Sequence, residues 1–395
     1  MSGASSGMFA RLQPESRFSP EELAVLEQVR ELVRERIEPR AARLDAEARF
    51  PWDSILDLNS IGLNGVFIPP EHGGAGFSYA CFLTLVEEIS HGCPSTAVTW
   101  ATNYHAMGPV IDFGSPEQKE RFLPVLLDGG LGSLVITEQT GGSDATTMRT
   151  QFAPDGDDVV VSGEKVFITS GDVADLYLVF GKWTELGQGR SALSALVMEK
   201  GTRGLSVVRK EDKLGHRASS TVALRFDECR VPRANLLCGP GEGRRVLLGA
   251  LNKSRPSIAA HALGIARAAL EDAAGYVNDR VQFGQPLVDF QGVQFMLGDL
   301  AARLLAARAL MLHVAHLVDA GETGLGLEAS ALKLLASDLA LDAASQDVQL
   351  HGGYGYVRPS KAERLFRDAK LTQIWEGANE VHRANLGRAF KERRT

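Results

Sequence analysis

Residues 157–171 read DDVVVSGEKVFITSG, and this stretch decides how the rest of the chain is parsed. Val159, Val160, Val161, Val166, Ile168 and Thr169 are β-branched, which suits a pleated strand better than a helix. Four further runs of the same kind follow: ADLYLVFGKW (174–183), SALSALVME (191–199), GLSVVRKED (204–212) and TVALRFDECRVP (221–232). Gly, Asp and Pro separate them, so residues 132–238 read as an antiparallel β-domain. On either side the apolar period is helical. SPEELAVLEQVRELVRERIEPRAARLDAEA (19–48) opens with Ser19 as N-cap and Pro20 at the first helical position, and helical pieces continue through a domain at 21–131. Three long helical segments, 244–280, 290–321 and 327–352, dominate 239–395 and suit an antiparallel bundle. The fold class expected is mainly α with a middle β-domain.

The chain of 395 residues is too long for one core. A net charge of -7 argues against a nucleic-acid partner, because phosphate binding needs concentrated basic surface. Cys81, Cys93, Cys229 and Cys238 form no CxxC pair, so neither a zinc site nor a disulfide framework is expected, and no metal. A reducing, cytoplasmic setting fits, or a mitochondrial matrix in a eukaryote. No apolar run reaches bilayer length, so no membrane insertion is expected. Residues 1–20 are rich in Ser and Gly and read as a loosely attached tail.

Four motifs carry chemistry. VITEQTGGSDATT (135–147) offers unhindered backbone N–H groups at Gly141, Gly142 and Ser143 for a pyrophosphate, although a plain Gly-Asp turn explains it equally well. In KVFITSG, Phe167 and Thr169 share one strand face and could cover a flat heterocycle, or Phe167 could be core. NDRVQFGQP places Arg280 and Phe283 between two helices, suited to phosphate and ring contacts or simply to capping helix carbonyls. The segment DVQLHGGYGYVRPSKAERLFRDAKLTQIWEGANEVHR ends on Glu376, a carboxylate between an indole and a glycine.

In order, T-E-x-x-x-G-S-D, I-T-x-G, R-x-x-F-G, Q-x-x-G-G-x-G-Y and E-R-x-x-R-D-A-K leading to I-x-E-G resemble the acyl-CoA dehydrogenase family, over residues 21–390. The resemblance implies a helical N-terminal domain, a β-domain and a C-terminal four-helix bundle, with FAD between the last two. It places Ile136, Thr137, Gly142, Ser143, Phe167 and Thr169 on the flavin and its pyrophosphate within one subunit, with Ala378 and Glu380 nearby. Arg280, Phe283, Gln291, Gln349 and Gly353 would reach the FAD of a neighbouring subunit, making the protein a homodimer or homotetramer. Glu376 matches the base that removes the α-proton of an acyl-CoA while the β-hydrogen leaves as hydride, giving a trans-2-enoyl-CoA. Its pKa has to be raised by desolvation for such work. Gly377 would let the chain approach the thioester, and Ser143, Asn252, Arg255 and Arg388 match positions near CoA or the substrate mouth. Ser254 stands where some relatives carry the base, and serine cannot take that role.

Three departures from the family pattern stand out: Asn252 for an acid, Ala378 for Thr, and Leu134 for an aromatic residue. Trp100, Tyr104 and Trp375 match positions lining the acyl tunnel, and their bulk favours a short, branched or cyclic acyl group. Electrons would pass to an electron-transfer flavoprotein. The alternatives are an oxygen-using flavin oxidase or monooxygenase on the same fold, or a non-catalytic binding protein. The last needs a basic groove, and the terminal KERRT (391–395) is only a short solvated tail.

Overall fold

The structure, a computed structural model, describes residues 18–187 and 189–391, so the expected tail lies outside the described residues up to residue 17. Helix α1 (Pro20–Leu32) begins where the sequence reading puts it. The Ser19 hydroxyl accepts the Glu22 N–H at 3.1 Å while the Glu22 carboxylate accepts the Ser19 N–H at 2.8 Å, satisfying two donors that a helix start leaves free. A π-helical turn, Val33–Ile37, joins α1 to α2 (Glu38–Glu47). Then come α3 (Trp52–Ser60), α4 (Tyr79–Gly92), α5 (Pro94–Phe113) and α6 (Pro116–Leu127). Nearly every residue of α4 is buried, since it lies between the N-terminal helices and the C-terminal bundle.

Seven strands make one sheet: β1 (Gly132–Val135), β2 (Gln151–Asp155), β3 (Asp158–Thr169), β4 (Leu176–Trp183), β5 (Leu193–Glu199), β6 (Leu205–Lys210) and β7 (Thr221–Pro232). The path β1-β4-β2-β3-β7-β6, with β5 on β4, is mixed rather than wholly antiparallel, because β1 and β2 both run parallel to β4. Composition marks a strand but says nothing of its direction. The chain from β3 crosses back over residues 170–175 to pair with two earlier strands, and only such a crossover permits parallel pairing.

The third layer is built on α7 (Gly243–Asp279), 37 residues long, which packs against α4, α8, α9 and α11. A small hairpin, β8 (Val281–Gln282) and β9 (Gln285–Pro286), leads to α8 (Gln291–Asp319) and α9 (Gly326–His351). After α10 (Gly353–Tyr356) and α11 (Lys361–Thr372), the chain ends in α12 (Asn379–Arg388). Among the described residues no helix is long and apolar enough to cross a membrane.

A buried ion network ties these layers together. Glu87 of α4 is fully buried between Arg267 of α7, at 3.2 Å, and Arg308 of α8, at 2.9 Å. Its neighbour Glu88 binds the other side of Arg267 and, at 3.1 Å, Arg30 of α1. Burial works against the Glu88 charge, but Arg267 and then Arg30 outweigh it and hold the carboxyl down to about 2. Removing one member strands the others without water. We expect Glu87→Ala to destabilise the fold by about 3–5 kcal/mol, read as a lowered urea midpoint by circular dichroism.

Candidate active site

The turn after α11 carries Glu376. Its backbone has φ of +51°, and Gly377 follows at +99°, so two consecutive residues sit in the left-handed region. A Cβ at Gly377 would lie 3.0 Å from Nε2 of the His382 ring. Ser254, buried on α7, donates its hydroxyl to Glu376 Oε2 at 2.6 Å. Below the turn, the buried Lys333 ammonium of α9 donates to the Gly377 carbonyl at 2.7 Å and to Asn379 Oδ1 at 2.9 Å. Burial lowers the Lys333 ammonium to about 8, against the opposing pull of Glu376.

Trp375, preceding the carboxylate, packs its ring on two histidines, His216 at 5.3 Å and His261 at 5.4 Å. Those two meet Nε2 to Nε2 at 2.8 Å. Burial pushes His261 down to about 3 and His216 well below the ordinary histidine range, so the stack under Trp375 is uncharged. His105 is also buried and bonds the Ser257 hydroxyl at 3.0 Å.

Beside Ser254 lies a cavity of about 10 Å³, walled by Tyr104, His105, Gly108, Pro109 and Lys253. Tyr104 is held there by a cluster of rings, with Phe82 at 4.5 Å and Phe67 at 5.1 Å. Trp100 is not in this wall. It is fully buried against Phe82 at 5.4 Å, on the same face of α5 as Tyr104 but one helical turn away from the cavity.

Most of the remaining sequence-named residues fall into two groups at or near the surface. In the first, Ile136 and Thr137 follow β1 and are tied to β3: the Val166 N–H donates to the Thr137 carbonyl at 2.9 Å and Lys165 Nζ to that of Ile136 at 2.8 Å. Buried Glu138 then accepts the Arg149 and Thr150 N–H groups at 2.6 and 3.0 Å and pairs with Lys165 at 2.9 Å. This clamps both ends of the loop bearing Gly142 and Ser143. Gly142 has open space where a Cβ would stand. Phe167 is 63% exposed, not core. It sits at φ +59° in a register shift between β3 and β7, and a bulge re-aims a side chain in this way. Thr169 lies two residues on and is half-buried.

In the second group, Arg280 lies over the Tyr354 ring at 5.9 Å, and both line a surface cavity of about 440 Å³ with Tyr276, His351 and Gly353. Phe283, at the tip of the β8–β9 hairpin, is 94% exposed, and Gln291 and Gln349 are exposed too. Elsewhere, Asn252 and Arg255 are half-buried on α7, and burial lowers the Arg255 guanidinium while Glu376 opposes that. Ala378 is half-buried, Glu380 exposed, and Arg388 exposed at 3.4 Å from Asn385.

Family models for the acyl-CoA dehydrogenase N-terminal, middle and C-terminal domains match residues 19–130, 133–229 and 241–391. An acyl-CoA dehydrogenase of Bacillus subtilis is 42% identical over 367 residues, covering 92% of this chain and 96% of its own. The chain belongs to the acyl-CoA dehydrogenase family. Among solved structures, butyryl-CoA dehydrogenase from Megasphaera elsdenii superposes with a TM-score of 0.91 at 34% identity, covering 94% of this chain and 98% of its own. A chain solved in a study of the electron transferring flavoprotein of Acidaminococcus fermentans also gives 0.91, at 35% identity, covering 95% and 99%. As an acyl-CoA dehydrogenase the protein is an FAD-dependent oxidoreductase acting on acyl-CoA.

Sequence reasoning missed Lys333, Asn379 and the buried histidines, and dismissed Ser254. A lone cation within the apolar run ALKLLASDLA was the available signal for Lys333. Because the Ser254 hydroxyl bonds the carboxylate directly, we expect Ser254→Ala to slow anaerobic flavin reduction by about 3- to 10-fold, measured by stopped-flow absorbance with flavin content unchanged.

Proposed function

We propose that the protein introduces a double bond between Cα and Cβ of a short acyl-CoA thioester, with Glu376 as the base that takes the α-proton. The observation that carries this is the Glu376 carboxylate, held at 2.6 Å by a neutral hydroxyl on a turn fastened from below. The carboxylate is half-buried with the Ser254 hydroxyl on one oxygen, and partial exclusion of water leaves proton transfer from carbon less opposed by solvation. Bound FAD supplies the acceptor for the β-hydrogen as hydride. The proton goes to Glu376, and the electron pair of the Cα–H bond becomes the new C=C bond.

The residues present fit that cofactor. Exposed Phe167 with Thr169 offers a face for a flat ring, and the open backbone at Gly142 and Ser143 offers N–H donors for a diphosphate. Ile136 and Thr137 border the same edge. Ser170 and Ser220 add buried hydroxyls that have no hydrogen-bond partner among the described residues. Arg280, Phe283, Gln291, Gln349 and Gly353 would serve the FAD of a second subunit. The exposed apolar residues Phe283, Phe295, Tyr354, Tyr356 and Val357 support such an assembly, because a monomer seldom leaves so much apolar surface uncovered. A homodimer or homotetramer follows, with electron-transfer flavoprotein as acceptor.

The small cavity beside Ser254 and the ring-backed Tyr104 support a short acyl chain, as in the butyryl-CoA relative. Arg255 and Asn252 on α7, with Ser143 and Arg388, would meet the CoA portion.

Two experiments test this. With butyryl-CoA under anaerobic conditions, the parent bleaches its flavin band, whereas Glu376→Gln retains flavin and thioester binding and reduces at least about 10²-fold more slowly. Rapid bleaching by the variant would assign the base elsewhere. Phe283→Asp, at the hairpin tip, should lower both the mass seen by light scattering and the flavin retained on gel filtration.

A further inference from the structure

We propose that Lys333 is a positioning residue for the base, holding the Glu376–Gly377 turn in the conformation that presents the carboxylate to substrate. The inference rests on the reading of Glu376 as the base. Lys333 lies in the middle of α9 and is fully buried, a rare state for lysine unless its charge is matched. Both recorded acceptors of its ammonium belong to the turn: the Gly377 carbonyl at 2.7 Å and Asn379 Oδ1 at 2.9 Å. They flank Ala378 and pin the chain between the base and the first turn of α12.

The acceptors are themselves fixed. Asn379 donates its amide to Ser337 Oγ at 2.9 Å and to Asp338 Oδ1 at 2.7 Å. Ser337 in turn donates to the Lys333 carbonyl at 2.7 Å, closing the network on α9. What this network restrains is strained backbone. Glu376 at φ +51° is a side-chain-bearing residue in a region that favours glycine, and such residues persist only where their surroundings over-determine them. An apolar side chain at position 333 would fill the space but could not hold the carbonyl.

The charges facing the ammonium come from every element around it: Glu376 and Glu380 from the turn and α12, Asp338 from α9 itself, and Arg255 from α7. His382 of α12 also faces it, and burial, then Lys333 and Arg255, keep that ring neutral, with its proton affinity lowered to about 4.

The test compares Lys333→Met and Lys333→Arg with the parent, as flavin-loaded protein, by anaerobic reduction with butyryl-CoA across pH. In Lys333→Met we expect KM within about 3-fold of the parent and the reduction rate lower by about 10²-fold, the usual consequence of misplacing a reacting group. Lys333→Arg, which keeps charge and donors, should recover much of the rate. A Lys333→Met enzyme that keeps its flavin and the parent's rate overturns the proposal. Should that variant bind too little flavin, Asn379→Ala is read instead: a slowed reduction with intact flavin supports the proposal, and an unchanged rate overturns it. The two readings fail separately. Fast reduction by Glu376→Gln removes the base assignment, whereas an inert Glu376→Gln beside a normal Lys333→Met removes only the role of Lys333.

Discussion

The buried carboxylate of Glu87, gripped by Arg267 and Arg308, is the interaction on which the rest of the geometry depends. It joins α4 to α7 and α8, and α4 carries Phe82, the ring that backs Tyr104. Ser254 projects from α7 itself. The wall and the floor of the cavity therefore come from elements that this ion network holds in register. Its members are directional as well as strong: a guanidinium meets a carboxylate in a fixed plane, so it sets orientation in a way that packing of Leu and Ala does not.

The site inherits that rigidity in a different form. Two left-handed residues in succession would relax if the chain were free, yet the turn is fixed to α9 below and to Ser254 above. The buried histidine pair packed on Trp375 fixes the residue that precedes the base. His105 is the histidine that feels the carboxylate, and burial lowers its affinity for a proton against the pull of Glu376.

Much of this was legible in the chain. The succession of helix, strand and helix, the Ser19 cap and the family follow from period, capping chemistry and motif. The strand directions did not, because β1 and β2 are told apart from their antiparallel neighbours only by a crossover. The alternation of side chains around Phe167 is interrupted by a bulge that no residue type announces. Trp100 and Tyr104 are four apart on one face of α5, and which of these two turns meets the cavity depends on how α5 is set against its neighbours, which the sequence does not record. Ser254 reads as a lost acid until its hydroxyl is seen 2.6 Å from the carboxylate supplied from 122 residues away. Contacts of that range are products of packing, and packing is what one sequence hides best.

The cavity beside Ser254, at about 10 Å³, is at the lower limit of what admits one water molecule. If the acyl group of the proposed substrate binds there, it enters by pushing the walls apart, and recognition is coupled to opening. The apparent affinity for such a thioester would then equal its intrinsic affinity multiplied by the fraction of molecules already open. Selectivity on that reading would come as much from how far Tyr104 and its backing rings yield as from the contacts finally made.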